Sequence, residues 1–124
     1  NVFERRYMYR FTPALDEDAM RRAADALCGE HDFTAFCANR RMKKSAVRCL
    51  KSIDIERRGG EVRIAMTGDG FLYNMARIIA GTLLEVGTHR RAAEDMAAIL
   101  SSRERDNAGF TAPAQGLTLW EVRY

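Results

Sequence analysis

The 124-residue sequence lacks several features that would place it quickly in a class. It contains no run of about 18 apolar residues, so no segment is predicted to span a membrane. Its N-terminus does not resemble a signal peptide. Only two histidines are present, and no Ser–His–Asp, Cys–His or paired-carboxylate constellation stands out. With 47% hydrophobic and 30% charged residues, the composition is typical of a globular chain, and its length predicts a single domain over 1–124, which the element order given below makes an α/β domain.

Cysteine is also scarce. The three cysteines are odd in number and irregularly spaced, which argues against a disulfide framework and favours a reducing cytoplasm. Together with His31 they give Cys28-x2-His31-x5-Cys37-x11-Cys49, but the paired short spacings of zinc sites are missing. We therefore expect packed thiols and no metal site. A zinc-stabilised structural domain remains the weaker alternative.

Acidic residues are absent from position 33 to position 53, although the net charge of the chain is only +3. A solvated loop can carry such a run, but a long stretch of one sign also suits a polyanion partner. Arg5, Arg6 and Arg10 can add to the same charge. We call positions 39–45 the basic segment. The cations between 33 and 53 are Arg40, Arg41, Lys43, Lys44, Arg48 and Lys51.

The remaining pattern predicts alternating strands and helices. Asp16 is a predicted N-cap, with Leu15 and Met20 as a hydrophobic staple, and Gly59-Gly60 is a predicted hairpin turn. Their order predicts an α+β fold, an antiparallel sheet with helices mainly on one face, close to ferredoxin-like. The predicted strands are 3–11, 47–56, 62–67 and 117–124, and the predicted helices are 16–28, 68–87 and 92–100, with a short helical turn at 31–36.

Within the second predicted strand, alternation places Val47, Cys49, Ile53 and Ile55 on one face, which we expect to be the buried one. Positions 101–116 show no clear period. Loops of that length in a compact domain are usually functional or mobile. Gly68-x-Gly70 before a helix is a weak phosphate-binding signal, since the third glycine of the dinucleotide fingerprint is missing.

The predicted helix 68–87 has two unusual faces. One is a wide apolar stripe, which predicts contact with the core. On the other face Arg77 is the only charge before Glu85, where a solvated face would be rich in Lys and Glu. We expect this second face to contact something too, with a snorkelling arginine as the alternative. The apolar stripe consists of Phe71, Leu72, Met75, Ile78, Ile79, Thr82, Leu83 and Val86, and the second face of Tyr73, Arg77, Ala80, Gly81 and Leu84.

Three stretches together resemble the C-terminal half of the tRNA pseudouridine synthase A family. They are Gly-Asp-Gly-Phe-Leu-Tyr-Asn-Met-Ala-Arg at the start of 68–87, Asp-Asn-Ala-Gly-Phe-Thr-Ala-Pro-Ala-Gln-Gly-Leu at 106–117, and Gly-Glu-His-Asp-Phe-Thr-Ala-Phe at 29–36. The resemblance implies an isomerase acting on uridine in the anticodon stem-loop of transfer RNA, cytoplasmic, homodimeric and without a cofactor. It also implies two α/β halves with an RNA-binding cleft between them.

The resemblance assigns roles to particular residues. Arg77 matches the arginine that pairs with the catalytic aspartate, so we expect it to serve catalysis rather than folding. Leu117 matches the apolar residue that lines the uracil site. Phe71 and Tyr73 are further substrate-binding candidates. The charge pattern, and not the resemblance, makes Arg40, Arg41, Lys43, Lys44 and Arg48 the candidates for RNA contacts.

The aspartate itself belongs to an Arg-Thr-Asp-x-Gly-Val-His motif of the N-terminal half, which this sequence does not contain. Asp69 is not a substitute, because it belongs to a different motif. A family tyrosine near the uracil is also expected upstream, so neither Tyr7 nor Tyr9 is given that role. Ala76 and Phe110 depart mildly from the family pattern. The chain does not begin with methionine, and we expect it to be cut from a longer protein.

We therefore expect half of a tRNA pseudouridine synthase, inactive alone because the nucleophile is missing. The expected partners are tRNA, the N-terminal half of the same polypeptide and, in the complete enzyme, a second subunit, but no membrane. The alternative is a non-catalytic RNA-binding or assembly module.

Overall fold

The computed structural model describes residues 4–11, 14–39, 45–113 and 117–123. Single turns of 3-10 helix lie at Thr34–Phe36, Ala93–Asp95 and Arg105–Asn107. None of the described helices is both long and apolar enough to cross a membrane. The main elements are β1 (Glu4–Phe11), α1 (Glu17–Asp25), β2 (Gly29–Asp32), β3 (Val47–Arg58), β4 (Glu61–Gly68), α2 (Met75–Gly87), α3 (Met96–Ser102) and β5 (Leu117–Arg123).

The strands form one sheet in the order β2-β3-β4-β1-β5, and every pairing is antiparallel. Leaving aside the short β2, the chain order is strand, helix, two strands, helices, strand, with β1 and β4 in the centre. This is the ferredoxin-like arrangement, and it confirms the predicted fold class. The helices α1 and α2 pack against each other and, with β3 and β4, enclose the core.

Helix α1 begins as predicted. The carboxylate of Asp16 accepts a hydrogen bond of 3.0 Å from the Ala19 amide, which satisfies one of the donors left open at a helix start. Leu15 and Met20 are both buried. Each large side chain that α1 buries contributes about 1.5–3 kcal/mol, so its inward face fixes the helix on the sheet.

The predicted burial of the first half of β3 is wrong. Val47 is 43% exposed, whereas Leu50 is 1% exposed and belongs to the core. The register of β3 against β4 shifts between Leu50 and Ser52, and one extra residue in a strand exchanges the two faces. The prediction assumed unbroken alternation, so it assigns the wrong face to the residues before the bulge. Ile55, which follows the bulge, is buried as predicted.

The segment before β3 also differs from the prediction. Residues 29–32 form β2, which pairs with the first half of β3 from Gly29↔Leu50 to Asp32↔Val47. Only Thr34–Phe36 is helical. Phe33 and Phe36 are fully buried, so these rings anchor the turn as expected.

Helix α2 begins at Met75, seven residues later than the predicted start at 68. Gly68 closes β4, and the Asp69 amide and carboxylate bond the Cys49 carbonyl and amide at 3.1 and 3.0 Å. Asn74 then adopts the left-handed conformation, with φ 59°, which no residue inside an α-helix adopts. Phe71, Leu72 and Tyr73 thus lie in a loop, and Asp69 has a structural role, consistent with its exclusion from catalysis.

Candidate functional site

The second face of α2 is covered by the chain itself. Residues 108–113, which we call the covering segment, lie along it. A Cβ at Gly81 would stand 1.8 Å from the Phe110 carbonyl oxygen, and a Cβ at Gly109 would stand 2.8 Å from Thr82 Cα. Both positions need glycine because the two backbones approach more closely than any side chain allows. Contact with the covering segment explains why the second face of α2 carries so few charges.

Directional bonds hold the covering segment in place. The Gly109 amide donates to Thr82 Oγ1 at 2.8 Å, and the Phe110 amide donates to Glu85 Oε2 at 3.2 Å. Arg91 pairs with the same carboxylate, with 2.8 Å between its Nε and Glu85 Oε1. The covering segment, part of the predicted loop 101–116, is thus bonded to α2, and it runs antiparallel to the helix, from its C-terminus toward its N-terminus.

Arg77 joins the covering segment to the start of α2. Its Nε donates to the Ala112 carbonyl at 2.8 Å, and its Nη1 donates to Asn74 Oδ1 at 3.1 Å. The Ala112 amide in turn donates to the Arg77 carbonyl at 3.0 Å. Two different nitrogens are bound, so the guanidinium plane is fixed and does not extend freely into water. Arg77 therefore has a structural role that the sequence-based expectation left out.

A cavity of about 160 Å³ opens beside this guanidinium. Tyr7 and Phe71 stand in it with their ring centres 4.8 Å apart and their planes at 78°, an edge-to-face pair. A cation beside aromatic rings suits a planar, polar heterocycle together with an anion. The lining consists of Tyr7, Phe71, Leu72, Asn74, Met75, Ala76 and Arg77.

Sequence reasoning left Tyr7 out of the site, and the structure brings it in. Tyr7 is paired with Met66, a fully buried residue of β4. Paired residues in neighbouring strands point to the same face of a sheet, so Tyr7 lies on the side that α2 covers. The pairing of β1 with β5 also shifts between Arg6 and Tyr7. The alternation along β1 indicates which face Tyr7 is on, but it does not indicate that this face lies beside Arg77.

The other predicted substrate contacts are only partly brought together. Phe71 lines the cavity. Leu117 starts β5 opposite Tyr9, two residues along β1 from Tyr7. Tyr73 is 68% exposed and does not line the cavity, although its carbonyl accepts a 3.1 Å bond from the Ala38 amide.

That last bond places one end of the basic segment beside the N-terminus of α2. Arg40, Arg41, Lys43 and Lys44 lie outside the described residues. At the other end, the Phe33 amide donates to the Ala46 carbonyl at 3.0 Å. Arg48 Nη1 donates to the Ser45 and Val47 carbonyls at 2.9 and 2.7 Å. Arg48 therefore bonds the main chain at the C-terminal end of the basic segment and also adds positive charge there.

The described residues with a perturbed pKa near this region have structural explanations. The Thr34 hydroxyl and amide bond the Asp32 carboxylate and lower its pKa, which stabilises the turn leading to the basic segment. Burial raises the pKa of the Cys28 thiol and makes it a poor nucleophile. Across the described ranges, no three His, Cys, Asp or Glu side chains are grouped to hold a metal ion.

The fold and the cavity together define a class: a ferredoxin-like α+β domain with an arginine fixed beside aromatic rings at one end of a helix. Comparison with known proteins then gives the family. A model described as tRNA pseudouridine synthase matches residues 23–124, and the chain belongs to that family, whose members are isomerases. This confirms the resemblance seen in the sequence at the level of the family.

Three curated relatives illustrate the match, all named tRNA pseudouridine synthase A. The one from Brevibacillus brevis is 48% identical over 124 residues, covering 100% of this chain and 51% of the relative. Those from Halalkalibacterium halodurans and Bacillus subtilis are 48% and 43% identical, covering 94% and 100% of this chain but 44% and 50% of the relatives. The chain spans about half the length of the curated relatives it matches.

Proposed function

We propose that this chain is the C-terminal half of a tRNA pseudouridine synthase and completes its active site. The observation that carries the proposal is Arg77, whose guanidinium is held by the Ala112 carbonyl and Asn74 Oδ1 beside the cavity of Tyr7 and Phe71. Family membership supplies the reaction class, an isomerisation of uridine. The chain spans about half the length of the curated relatives it matches, and the proposal assigns the rest of the active site to an N-terminal half.

Arg77 has the chemistry that a carboxylate nucleophile needs. The two bonds to the chain use two of the five N–H donors of a guanidinium. The remaining donors can bind a carboxylate, and a nearby permanent cation lowers the pKa of that group and keeps it ionised. The proposed partner is the aspartate of the N-terminal half. Without it, the chain alone is expected to be inactive.

The cavity beside Arg77 is the proposed position of the target base. The rings of Tyr7 and Phe71 supply aromatic surface, and Leu117 enters the sheet close by, opposite Tyr9. A base reaches such a site only by leaving its stack, which is easiest in a loop or near the end of a stem. Tyr73, which is exposed in the loop just before α2, is proposed to contact a neighbouring nucleotide.

The basic segment is the proposed contact for the tRNA backbone. The described residues on either side of this segment support the proposal, because the Ala38 amide bonds the Tyr73 carbonyl and Arg48 bonds the Ser45 carbonyl. Such cations hold phosphates while the base is extruded. By resemblance to the family, we further propose a cytoplasmic enzyme that acts as a homodimer and uses no cofactor.

The direct test is conversion of uridine to pseudouridine in a tRNA transcript, measured by nucleoside analysis. The complete polypeptide encoded by the gene should be active, and the chain alone should not. Arg77→Met should lower the single-turnover rate by about 30- to 1000-fold, corresponding to about 2–4 kcal/mol at the transition state. Arg90→Met, which removes an exposed charge at the other end of α2, is the matched control. Tight tRNA binding without any turnover by the complete polypeptide would favour a non-catalytic RNA-binding module instead.

RNA binding through the basic segment is tested separately by the salt dependence of the dissociation constant. Replacing Arg40, Arg41, Lys43 and Lys44 by Ala should reduce the slope by about 0.7–0.9 per lost phosphate contact. The control replaces four exposed arginines elsewhere, Arg22, Arg57, Arg58 and Arg90. Equal changes in both variants would show that binding depends on total charge and not on this segment.

A further inference from the structure

Asn74 has two features that its neighbours do not share. Its backbone is left-handed, with φ 59° and ψ 11°, at the position that precedes the first turn of α2. Its side chain makes no capping bond to the helix. Instead, Oδ1 accepts a 3.1 Å bond from Arg77 Nη1, and the residue lines the same cavity. An asparagine at this position would ordinarily cap the helix, whereas the side chain of Asn74 bonds Arg77.

We propose that Asn74 is a positioning residue that fixes the orientation of Arg77 for its anionic partner. Ala112 alone holds only Nε, which would let the two Nη groups exchange places by rotation about the Nε–Cζ bond. The second bond, from Nη1 to Asn74, prevents that rotation. It leaves both hydrogens of Nη2 available for a carboxylate in the cavity. This inference rests on the proposed function, since it concerns the same arginine.

The left-handed backbone makes this arrangement possible. Asn tolerates positive φ better than other side chains except Gly. In that conformation the side-chain amide of Asn74 lines the cavity and bonds Arg77, three residues later, and does not cap the helix. Strained backbone at a ligand-binding position is a recurrent feature of functional sites. Glycine would keep the backbone at this position but would lose the amide.

That difference allows a sharp experiment in the complete polypeptide. Asn74→Gly keeps the backbone conformation and removes the bond to Arg77, so kcat for pseudouridine formation should fall about 10-fold while KM for tRNA changes less than about 2-fold. His89→Gly is the matched control, because His89 is also left-handed, with φ 63°, and exposed. It should leave kcat unchanged. Wild-type kcat in Asn74→Gly would overturn the proposal.

Asn74→Asp separates orientation from charge. The aspartate keeps an acceptor for Nη1 and tolerates positive φ, so Arg77 should stay in place. Its negative charge, however, partly neutralises the guanidinium, which then lowers the pKa of the incoming carboxylate less. The acidic limb of the kcat profile should therefore move to higher pH. A profile that coincides with the wild-type one in the Asp variant would contradict this role.

A second readout needs no activity. Rotation of the Arg77 guanidinium about Nε–Cζ can be followed by ¹⁵N nuclear magnetic resonance in the chain described above. Separate Nη signals are expected in the wild type and in His89→Gly, and merged signals in Asn74→Gly. If the complete polypeptide proves inactive on tRNA, the proposed function fails, but this measurement still decides whether Asn74 orients Arg77. Merged signals in the wild type would refute it.

Discussion

The two faces of α2 are both buried, but they are buried by different physics. Toward the sheet, Met75, Ile78, Ile79 and Leu83 are fully buried in the main core, and their contribution is apolar burial without direction. Toward the covering segment, the helix presents Gly81 and Arg77, which act through close backbone approach and hydrogen bonds. Thr82, which the sequence pattern placed on the core face, also belongs here, because its hydroxyl accepts a hydrogen bond from the Gly109 amide. The core face stabilises the domain, and the second face places particular atoms at particular positions. The candidate site is built on the second face.

The largest expected effect is on the core face. Ile79→Ala removes a fully buried side chain between the helices and the sheet, and such truncations cost about 2–5 kcal/mol of unfolding free energy. Urea denaturation should show one cooperative transition at a lower midpoint, with the whole chain unfolding together. Leu84→Ala, at a half-buried position of the same helix, should cost clearly less. Equal losses in the two variants would contradict the assignment of the core face.

The next effect tests how closely the covering segment approaches. Gly81→Ala places a methyl group 1.8 Å from the Phe110 carbonyl oxygen, an overlap that only displacement of backbone can relieve. A loss of about 3 kcal/mol is expected, or release of the segment from the helix. Gly60→Ala is the control, because a Cβ there meets nothing within 4 Å. An unchanged Gly81→Ala melting temperature would show that the two backbones are farther apart than described.

A smaller effect isolates one hydrogen bond. Thr82→Val keeps the shape of a fully buried side chain but leaves the buried Gly109 amide without its acceptor, at a cost of about 1–3 kcal/mol. Thr88→Val is a close match, because Thr88 Oγ1 makes the same type of bond to the carbonyl four residues earlier, yet no residue of the covering segment bonds to it. The difference in unfolding free energy between the two variants reports the bond to Gly109. A difference near zero would remove this bond from the account.

The same contrast explains how far the sequence could predict the structure. Ile78, Ile79 and Leu83 recur with the helical period, so their burial and the α+β class followed from the pattern. The start of α2 did not, because the left-handed Asn74 and the Asp69 bonds to Cys49 override the apolar spacing. The bulge between Leu50 and Ser52 likewise reversed part of β3, since a one-residue insertion leaves no mark in composition.

For the site, the sequence singled out Arg77 as an isolated charge but could not identify what surrounds it. The contact of Arg77 with Ala112 uses a main-chain carbonyl, which any residue supplies, and the contact with Asn74 depends on a left-handed backbone that the helical pattern around Asn74 does not indicate. Tyr7 was left out because the resemblance placed the tyrosine near the uracil upstream, and the sequence does not show that the first strand lies beside Arg77, 70 positions later. Such juxtapositions depend on topology, which the sheet order β2-β3-β4-β1-β5 supplies.

The central claim is that Arg77 and the covering segment hold each other in place beside the cavity. Hydrogen exchange of the Ala112 amide tests it most directly, because that amide donates to the Arg77 carbonyl while the Ala112 carbonyl accepts from Arg77 Nε. In the wild type, this amide should exchange at least about 100-fold more slowly than an unstructured one. In Arg77→Met, which is expected to lose about 1 kcal/mol of local stabilisation, this amide should exchange about 5-fold faster, the factor to which about 1 kcal/mol corresponds, while the core amides of α2 keep their protection. An Ala112 amide that exchanges in the wild type as fast as an unstructured chain would contradict the account.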